Sequence, residues 1–229
     1  MRIQDVAQKI FDIGIIPVIR ASTALEADRL VEAIAAGGIS VVEITMTVPD
    51  AIALIRDVVH KHGKNILVGA GTVTTAEQAN QCLDAGVDFL VSPGLCVPVL
   101  EIAADAGKLA IPGALTPTEF MSAIEHGATL VKIFPCSSAG GPSHIKALRG
   151  PFPDGLLIPT GGVNLASAAE YLAAGAFALG VGSELANLSV LREGRVHEIT
   201  HAAESFAQIV RRCRPLKSTV QLQGPQKAN

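Results

Sequence analysis

The chain has no tryptophan, one tyrosine and only 3% aromatic residues, and charged residues make up just 17% of its 229 positions. With aromatics this scarce a core must come from aliphatic side chains. The 49% hydrophobic content supplies them, so the composition reads as a soluble, aliphatic-rich single domain of the larger kind. There is no basic cluster either. The net charge is -3 and the lysines and arginines are scattered, which excludes a nucleic-acid or anionic-membrane surface and leaves small molecules as the expected partners. The four cysteines, Cys82, Cys96, Cys136 and Cys213, form no Cys-x-x-Cys pair and have no metal-like spacing, which fits a reducing cytoplasm. The longest uncharged stretch, Gly155 to Ala169, contains Pro159, Gly161 and Gly162 and is too short to cross a bilayer. The opening "MRIQDVAQKIFDIG" reads as an amphipathic helix with charges throughout, not as a secretion signal.

What is present is a rhythm. Small-residue turns recur just before β-branched runs: "AAGGISVVEIT", "DAGVDFLVSP", "DAGKLAIPG", "HGATLVKIFP" and "AAGAFALGVGS". Each looks like a helix end capped by glycine and followed by a buried strand. Helical periodicity fills the intervals, over Thr23 to Ala36, Asp50 to His62, Thr75 to Ala85 and Leu165 to Ala174. Eight strands are predicted: Ile15 to Arg20, Ser40 to Met46, Ile66 to Ala70, Phe89 to Ser92, Leu109 to Ile111, Leu130 to Phe134, Leu156 to Pro159 and Ala176 to Val181. Strand and helix alternate about every 20 to 25 residues, which points to an α/β fold, a closed (β/α)8 TIM barrel with an extra N-terminal helix. An open doubly wound sheet would carry a glycine-rich turn after its first strand, and "PVIRASTALEA" has no glycine. The barrel is predicted to span residues 1–213, with a polar, aperiodic tail over 214–229 lying loosely on the surface.

In a barrel the informative polar residues are those at the C-terminal ends of strands that point inward. Alternation puts Val41, Glu43 and Thr45 on one face, and Leu130, Lys132 and Phe134 on one face. Of the eight lysines only Lys132 lies inside an apolar strand. It could face solvent at an edge, or form a purely structural pair with Glu43. If both faces look inward, Lys132, Glu43 and Arg20, which closes strand one, meet in one pocket. A buried lysine amine can condense with a ketone, and the resulting iminium withdraws electrons from the adjacent carbon–carbon bond. A carboxylate within reach would carry the protons that such a condensation moves. Thr72, after "GAG", and Pro93, after strand four, are ordinary turn chemistry by themselves. The loops "PTGGVN" and "GVGSEL" follow strands seven and eight, where barrels often bind phosphate on glycine N–H groups and helix N-termini. A phosphorylated substrate is the expectation. "HEITH", His197 to His201, matches a helical zinc-protease pattern but has only Glu204 downstream as a third ligand, so it reads as a chance match. "GAGTV" lacks the third glycine of a dinucleotide loop.

The motifs "IIPVIRA", "VVEITMTVPDA", "VGAGTVTT", "LVSPG", "IPGALTPTE", "LVKIFPCSSAGGPSHIKALRGPFP", "IPTGGVN" and "GVGS" resemble, in order and spacing, the 2-keto-3-deoxy-6-phosphogluconate aldolases. The resemblance runs from about Ile15 to Ser183. It implies a class I aldolase in which Lys132 forms the Schiff base and Glu43 is the general acid/base. By the same resemblance Thr72 and Pro93 belong to the pyruvyl pocket, and Thr160, Gly161, Gly162 and Ser183 to the far end, the glycines and Ser183 on phosphate. It also implies a homotrimer and a reaction without metal or cofactor. One branch of the family has arginine in Glu-Val-Thr-Leu-Arg-Thr, where this chain reads Glu43-Ile44-Thr45-Met46-Thr47-Val48. Threonine cannot replace a bidentate cation. Members that end strand one with arginine make Arg20 the natural substitute as carboxylate clamp. Without the resemblance, a phosphate-binding isomerase or epimerase and a non-catalytic sugar-phosphate binder stay open.

Overall fold

The structure is a computed structural model that describes residues 1–214. Nine parallel strands form it: β1 (Ile15–Ile19), β2 (Val41–Thr45), β3 (Leu67–Gly71), β4 (Phe89–Val91), β5 (Leu109–Ile111), β6 (Gly113–Ala114), β7 (Val131–Ile133), β8 (Leu157–Pro159) and β9 (Leu179–Val181). They run in the orders β5-β4-β3-β2-β1-β9 and β6-β7-β8. The two sheets are one ring. β5 is the predicted fifth strand, Leu109 to Ile111, and β6 continues it, outside the predicted range, beyond Pro112, which has no N–H to donate to a ladder. β5 pairs with β4 and β6 with β7, while the Pro112 carbonyl accepts the Lys132 N–H at 2.9 Å. Between β8 and β9 the ring closes through Phe177 N–H to Leu157 O (2.7 Å) and a bridge between Thr160 and Gly180. The expected barrel is what the chain forms.

Two apolar layers follow from the alternation. Outward residues such as Val42, Ile44, Val131 and Ile133 pack under the helices. Inward residues such as Val41, Leu67, Phe89 and Leu130 fill the floor of the barrel, with Val6, Ala7 and Ile10 of the helix Ile3–Ile13 plugging its N-terminal end. The site is therefore pushed to the other end, where the loops leave the strands. There the helices begin with side-chain caps: Thr23, Thr75, Thr116 and Asn164 each accept a backbone N–H of the first turn.

Arg214 is held in the domain. Its guanidinium donates to the carbonyls of Phe11 (2.8 Å), Ala176 (2.7 Å) and Phe177 (2.8 Å) and lies 4.3 Å from the centre of the Phe11 ring. Burial pulls its pKa below the ordinary arginine value, yet an arginine stays charged under such a shift. The remainder of the predicted tail, 215–229, lies outside the described residues. Arg214→Ala leaves three carbonyls without their donor, and the expected cost is about 2–4 kcal/mol. A calorimetric scan should find a melting point lower by roughly 5–10 °C.

Candidate active site

Lys132 projects into the barrel because its neighbours project out. Val131 and Ile133 are buried under the helices, and the pleat turns the residue between them to the interior. On β2, Val42 and Ile44 do the same for Glu43. The two strands are not neighbours in the ring, yet Lys132 Nζ lies 3.4 Å from Glu43 Oε1, with Lys132 5% and Glu43 3% exposed. Room for the carboxylate comes from Gly71, where a Cβ would collide with Glu43 Oε1. Room beside the lysine's strand comes from Gly113, paired with Lys132, where a Cβ would collide with the Pro93 carbonyl. Ile16, Val91, Ile111 and Ile158 wall a tight chamber of only about 10 Å³ around the pair. A charged pair in so apolar a chamber is weak evidence for stability, since desolvation offsets its attraction.

Above it opens a cleft of about 220 Å³ lined by Arg20, Phe134, Thr160, Gly161, Gly162 and Ser183, among others. Thr160 borders both spaces, and the Phe134 ring centre is 5.4 Å from Lys132 Nζ. Gly161 and Gly162 have φ of 90° and 74°, which favour glycine, and a Cβ on Gly162 would collide with Ser137 Oγ. Their loop is pinned to the chain after β7 by Cys136 N–H to Thr160 O (2.9 Å) and Ser137 N–H to Gly161 O (3.2 Å). The helix Leu165–Ala173 starts directly after it, so its N-terminal dipole faces the cleft where an anion would sit.

The remaining predicted site residues occupy the other side of the mouth. Thr72, half-buried with φ 58°, follows β3, and Pro93, half-buried, follows β4. Neither lines the outer cleft, which lies toward β8 and β9. Arg20 stands between these sides. Its predecessor on the inward face, Val18, pairs with Glu43, and Thr45 pairs with Gly71, so Arg20, Thr45 and the turn at Thr72 share one level above Glu43. Arg20 is exposed and has no hydrogen bond or ion pair among the described residues. Thr47, at the position where one branch of the family has arginine, shares a 2.8 Å hydrogen bond with Thr45 Oγ1, which also contacts Ile19 O at 3.3 Å.

Other nucleophiles and ligands are accounted for differently. Burial pushes the Cys136 thiol up to about 11 and Tyr171 up to about 12, so neither supplies an anion near neutral pH. In the "HEITH" segment Glu198 is held by Arg195 at 2.8 Å, and the His201 side chain is 80% exposed beside Glu204. Asp28, Glu32 and His62 bring ligand-type atoms within 4.8 Å, but Asp28 already engages Lys61 (2.7 Å) and His62 (3.0 Å). Sequence reasoning did not single out Glu184, which lines the cleft next to Ser183. Phe134 shares the inward face of Lys132, and that alternation was its signal.

The family profile of KDPG and KHG aldolases matches residues 6–202. A 2-dehydro-3-deoxy-phosphogluconate aldolase of Pseudoalteromonas atlantica is 35% identical over 199 residues, 86% of this chain and 92% of the relative. The KDPG aldolase of Legionella pneumophila, solved with pyruvate captured as a covalent carbinolamine intermediate, superposes with a TM-score of 0.81 at 32% identity, over 87% of this chain and 97% of that one. A native KDPGal structure superposes with a TM-score of 0.80 at 34% identity, over 88% and 96%. No helix of the described residues is long and apolar enough to cross a membrane.

Proposed function

The chain belongs to the KDPG and KHG aldolase family and is a Schiff-base aldolase, a carbon–carbon lyase; from this we propose its substrates and a role for each site residue. The substrate is 2-keto-3-deoxy-6-phosphogluconate or its galactonate epimer, cleaved to pyruvate and glyceraldehyde 3-phosphate, with 4-hydroxy-2-oxoglutarate as a second substrate. The observation that supports the assignment of roles is the buried approach of Lys132 Nζ to Glu43 Oε1 at 3.4 Å. A phosphate-binding isomerase would use the loops at Gly161 and Ser183 and leave this pair without a task.

In the proposed cycle the Lys132 amine attacks the C2 carbonyl, giving a carbinolamine that loses water to the iminium. Glu43 carries the protons in both steps, since it is the carboxyl group in contact with Nζ. Arg20 and Thr72 hold the substrate carboxylate from two sides of the mouth, and Pro93 packs against the pyruvyl carbons. The Glu43 carboxylate takes up the C4 hydroxyl proton as C3–C4 breaks, the electron pair passing into the iminium to form an enamine. Thr160 borders both the chamber and the cleft, which supports assigning it to the side of the bond that breaks. Glyceraldehyde 3-phosphate departs along the cleft, its phosphate held by Gly161, Gly162 and Ser183. Protonation of the enamine at C3 and hydrolysis then release pyruvate and the free amine. The iminium serves as the electron sink, so no metal or cofactor takes part.

The working form is proposed to be a cytoplasmic homotrimer. Its free cysteines suit a reducing compartment, and Met121 (58% exposed) and Ile124 (42%) offer an apolar strip on the helix Pro117–Glu125. Pyruvate release from each C4 epimer, followed through a coupled dehydrogenase alongside light scattering, tests the whole reading. Saturable cleavage of one epimer at three times the protomer mass is the expected result. No pyruvate from either epimer or from 4-hydroxy-2-oxoglutarate would overturn the assignment.

A further inference from the structure

Arg20 is the cation of the cleft, and nothing in its own side-chain environment fixes it. It is exposed and without a hydrogen bond or ion pair among the described residues. Its aim must therefore come from the backbone that follows, Ala21 to Thr23, which leads into the helix Ala24–Ala36. That backbone is held by a three-residue ring. Arg192 Nε donates to Glu26 Oε1 at 2.7 Å, Arg192 Nη2 donates to Ser22 Oγ at 2.9 Å, and the Ser22 N–H donates to Glu26 Oε2 at 3.0 Å. Thr23 Oγ1 accepts the Glu26 N–H at 3.2 Å, so the ring includes the helix cap.

The far end of the ring is anchored beyond the neighbouring strand, β9, which pairs with β1. Arg192 ends the short helix Leu188–Arg192, which follows the turn after β9 where the Leu185 and Ala186 N–H groups donate to Gly182 O at 3.0 and 2.9 Å. That turn carries Ser183 and Glu184, which line the cleft facing Arg20. The guanidinium thus spans 166 residues of sequence to tie the loop behind Arg20 to the loop behind Ser183. A planar fork matched to a carboxylate oxygen and a hydroxyl sets direction as well as distance, which a lysine does not. The ring also lies outside the cleft lining, so it touches no substrate.

We propose that Arg192, through Glu26 and Ser22, is a positioning residue that aims Arg20 at the substrate carboxylate. The proposal rests on the reading of Arg20 as the carboxylate clamp. It makes Arg192 matter for the affinity of keto acids generally and not for the chemistry at Lys132.

Pyruvate alone provides the probe. Enamine formation exchanges its methyl protons with solvent, so proton NMR in deuterium oxide gives kcat and KM for exchange without a phosphate group or a C4 centre. Arg192→Ala is expected to raise KM for pyruvate about fivefold with kcat unchanged, the signature of lost binding in ground and transition states alike. Arg192→Lys, which keeps the charge and one of the two contacts, is expected to fall between, and it serves should the alanine variant fold poorly. In an Arg20→Ala background, Arg192→Ala should raise KM no further, because residues acting as one unit are not additive. Normal KM in both Arg192 variants while Arg20→Ala raises it would overturn the positioning role and leave the clamp standing. An unchanged KM in Arg20→Ala would overturn the clamp, and the positioning role with it. Equal effects of Arg192→Ala with and without Arg20 would also overturn it, since the arginine would then act elsewhere.

Discussion

Lys132→Ala is expected to lower cleavage by at least about four orders of magnitude, because the covalent step has no other nucleophile to use. The buried alternatives do not substitute: Cys136 is held protonated by burial, up to about 11, and Tyr171 up to about 12. Incubating the wild-type chain with pyruvate and borohydride should add the mass of one pyruvate, less water and plus two hydrogens. Peptide mapping should place it on Lys132. The alanine variant should gain none of this mass. Truncation has a second consequence, since it leaves Glu43 buried at 3% exposure without its partner, and breaking such a pair typically costs about 3–5 kcal/mol. Lys132→Arg separates the two effects, because it keeps a cation beside Glu43 but a guanidinium does not form the imine. An enzyme that used Lys132 only as a charge would retain part of its activity in that variant. A Schiff-base lysine retains none, and an adduct that mapped elsewhere in the wild type would overturn the role.

The faces of the strands were legible because the pleat has a period of two and the outward residues are uniformly aliphatic. Val131 and Ile133 declare the inward direction of Lys132 as clearly as Val42 and Ile44 declare that of Glu43. Their meeting at 3.4 Å was not legible from periodicity, since β2 and β7 lie apart in the ring and only its closure brings them together. A weaker signal was available: Gly71, one strand away, has no side chain where the glutamate lies. The division of the fifth strand was within reach as well, because Pro112 interrupts "LAIPGA" and a proline cannot complete the ladder. Arg214 is different. It sits at the boundary of a polar, aperiodic segment, and its seat is made of three carbonyls and one ring from elements up to 203 residues away, which no local pattern encodes. The same holds for Arg192, whose partners at Ser22 and Glu26 become neighbours only when β9 closes on β1.

Glu43→Gln is expected to cut kcat for cleavage by roughly 10²- to 10³-fold, within the range that a positioned acid/base contributes. The amide has nearly the shape of the carboxylate and can still hydrogen-bond to Nζ, but it cannot take up and return a proton. Formation and dehydration of the carbinolamine, protonation of the enamine and hydrolysis all move protons within the chamber, so each slows while binding at the mouth is untouched. KM for pyruvate in the exchange assay should therefore stay near wild type, and borohydride should still trap pyruvate on Lys132, only more slowly. Gly71→Ala approaches the same group from the other side. A methyl there would occupy the place of Glu43 Oε1 and turn the carboxylate away from the amine without altering either functional residue. If both variants lose kcat together, what matters is the placement of the carboxylate as well as its presence. If Glu43→Gln instead keeps full turnover, protons reach the imine by another route. The 3.4 Å contact would then serve only to accommodate a buried lysine.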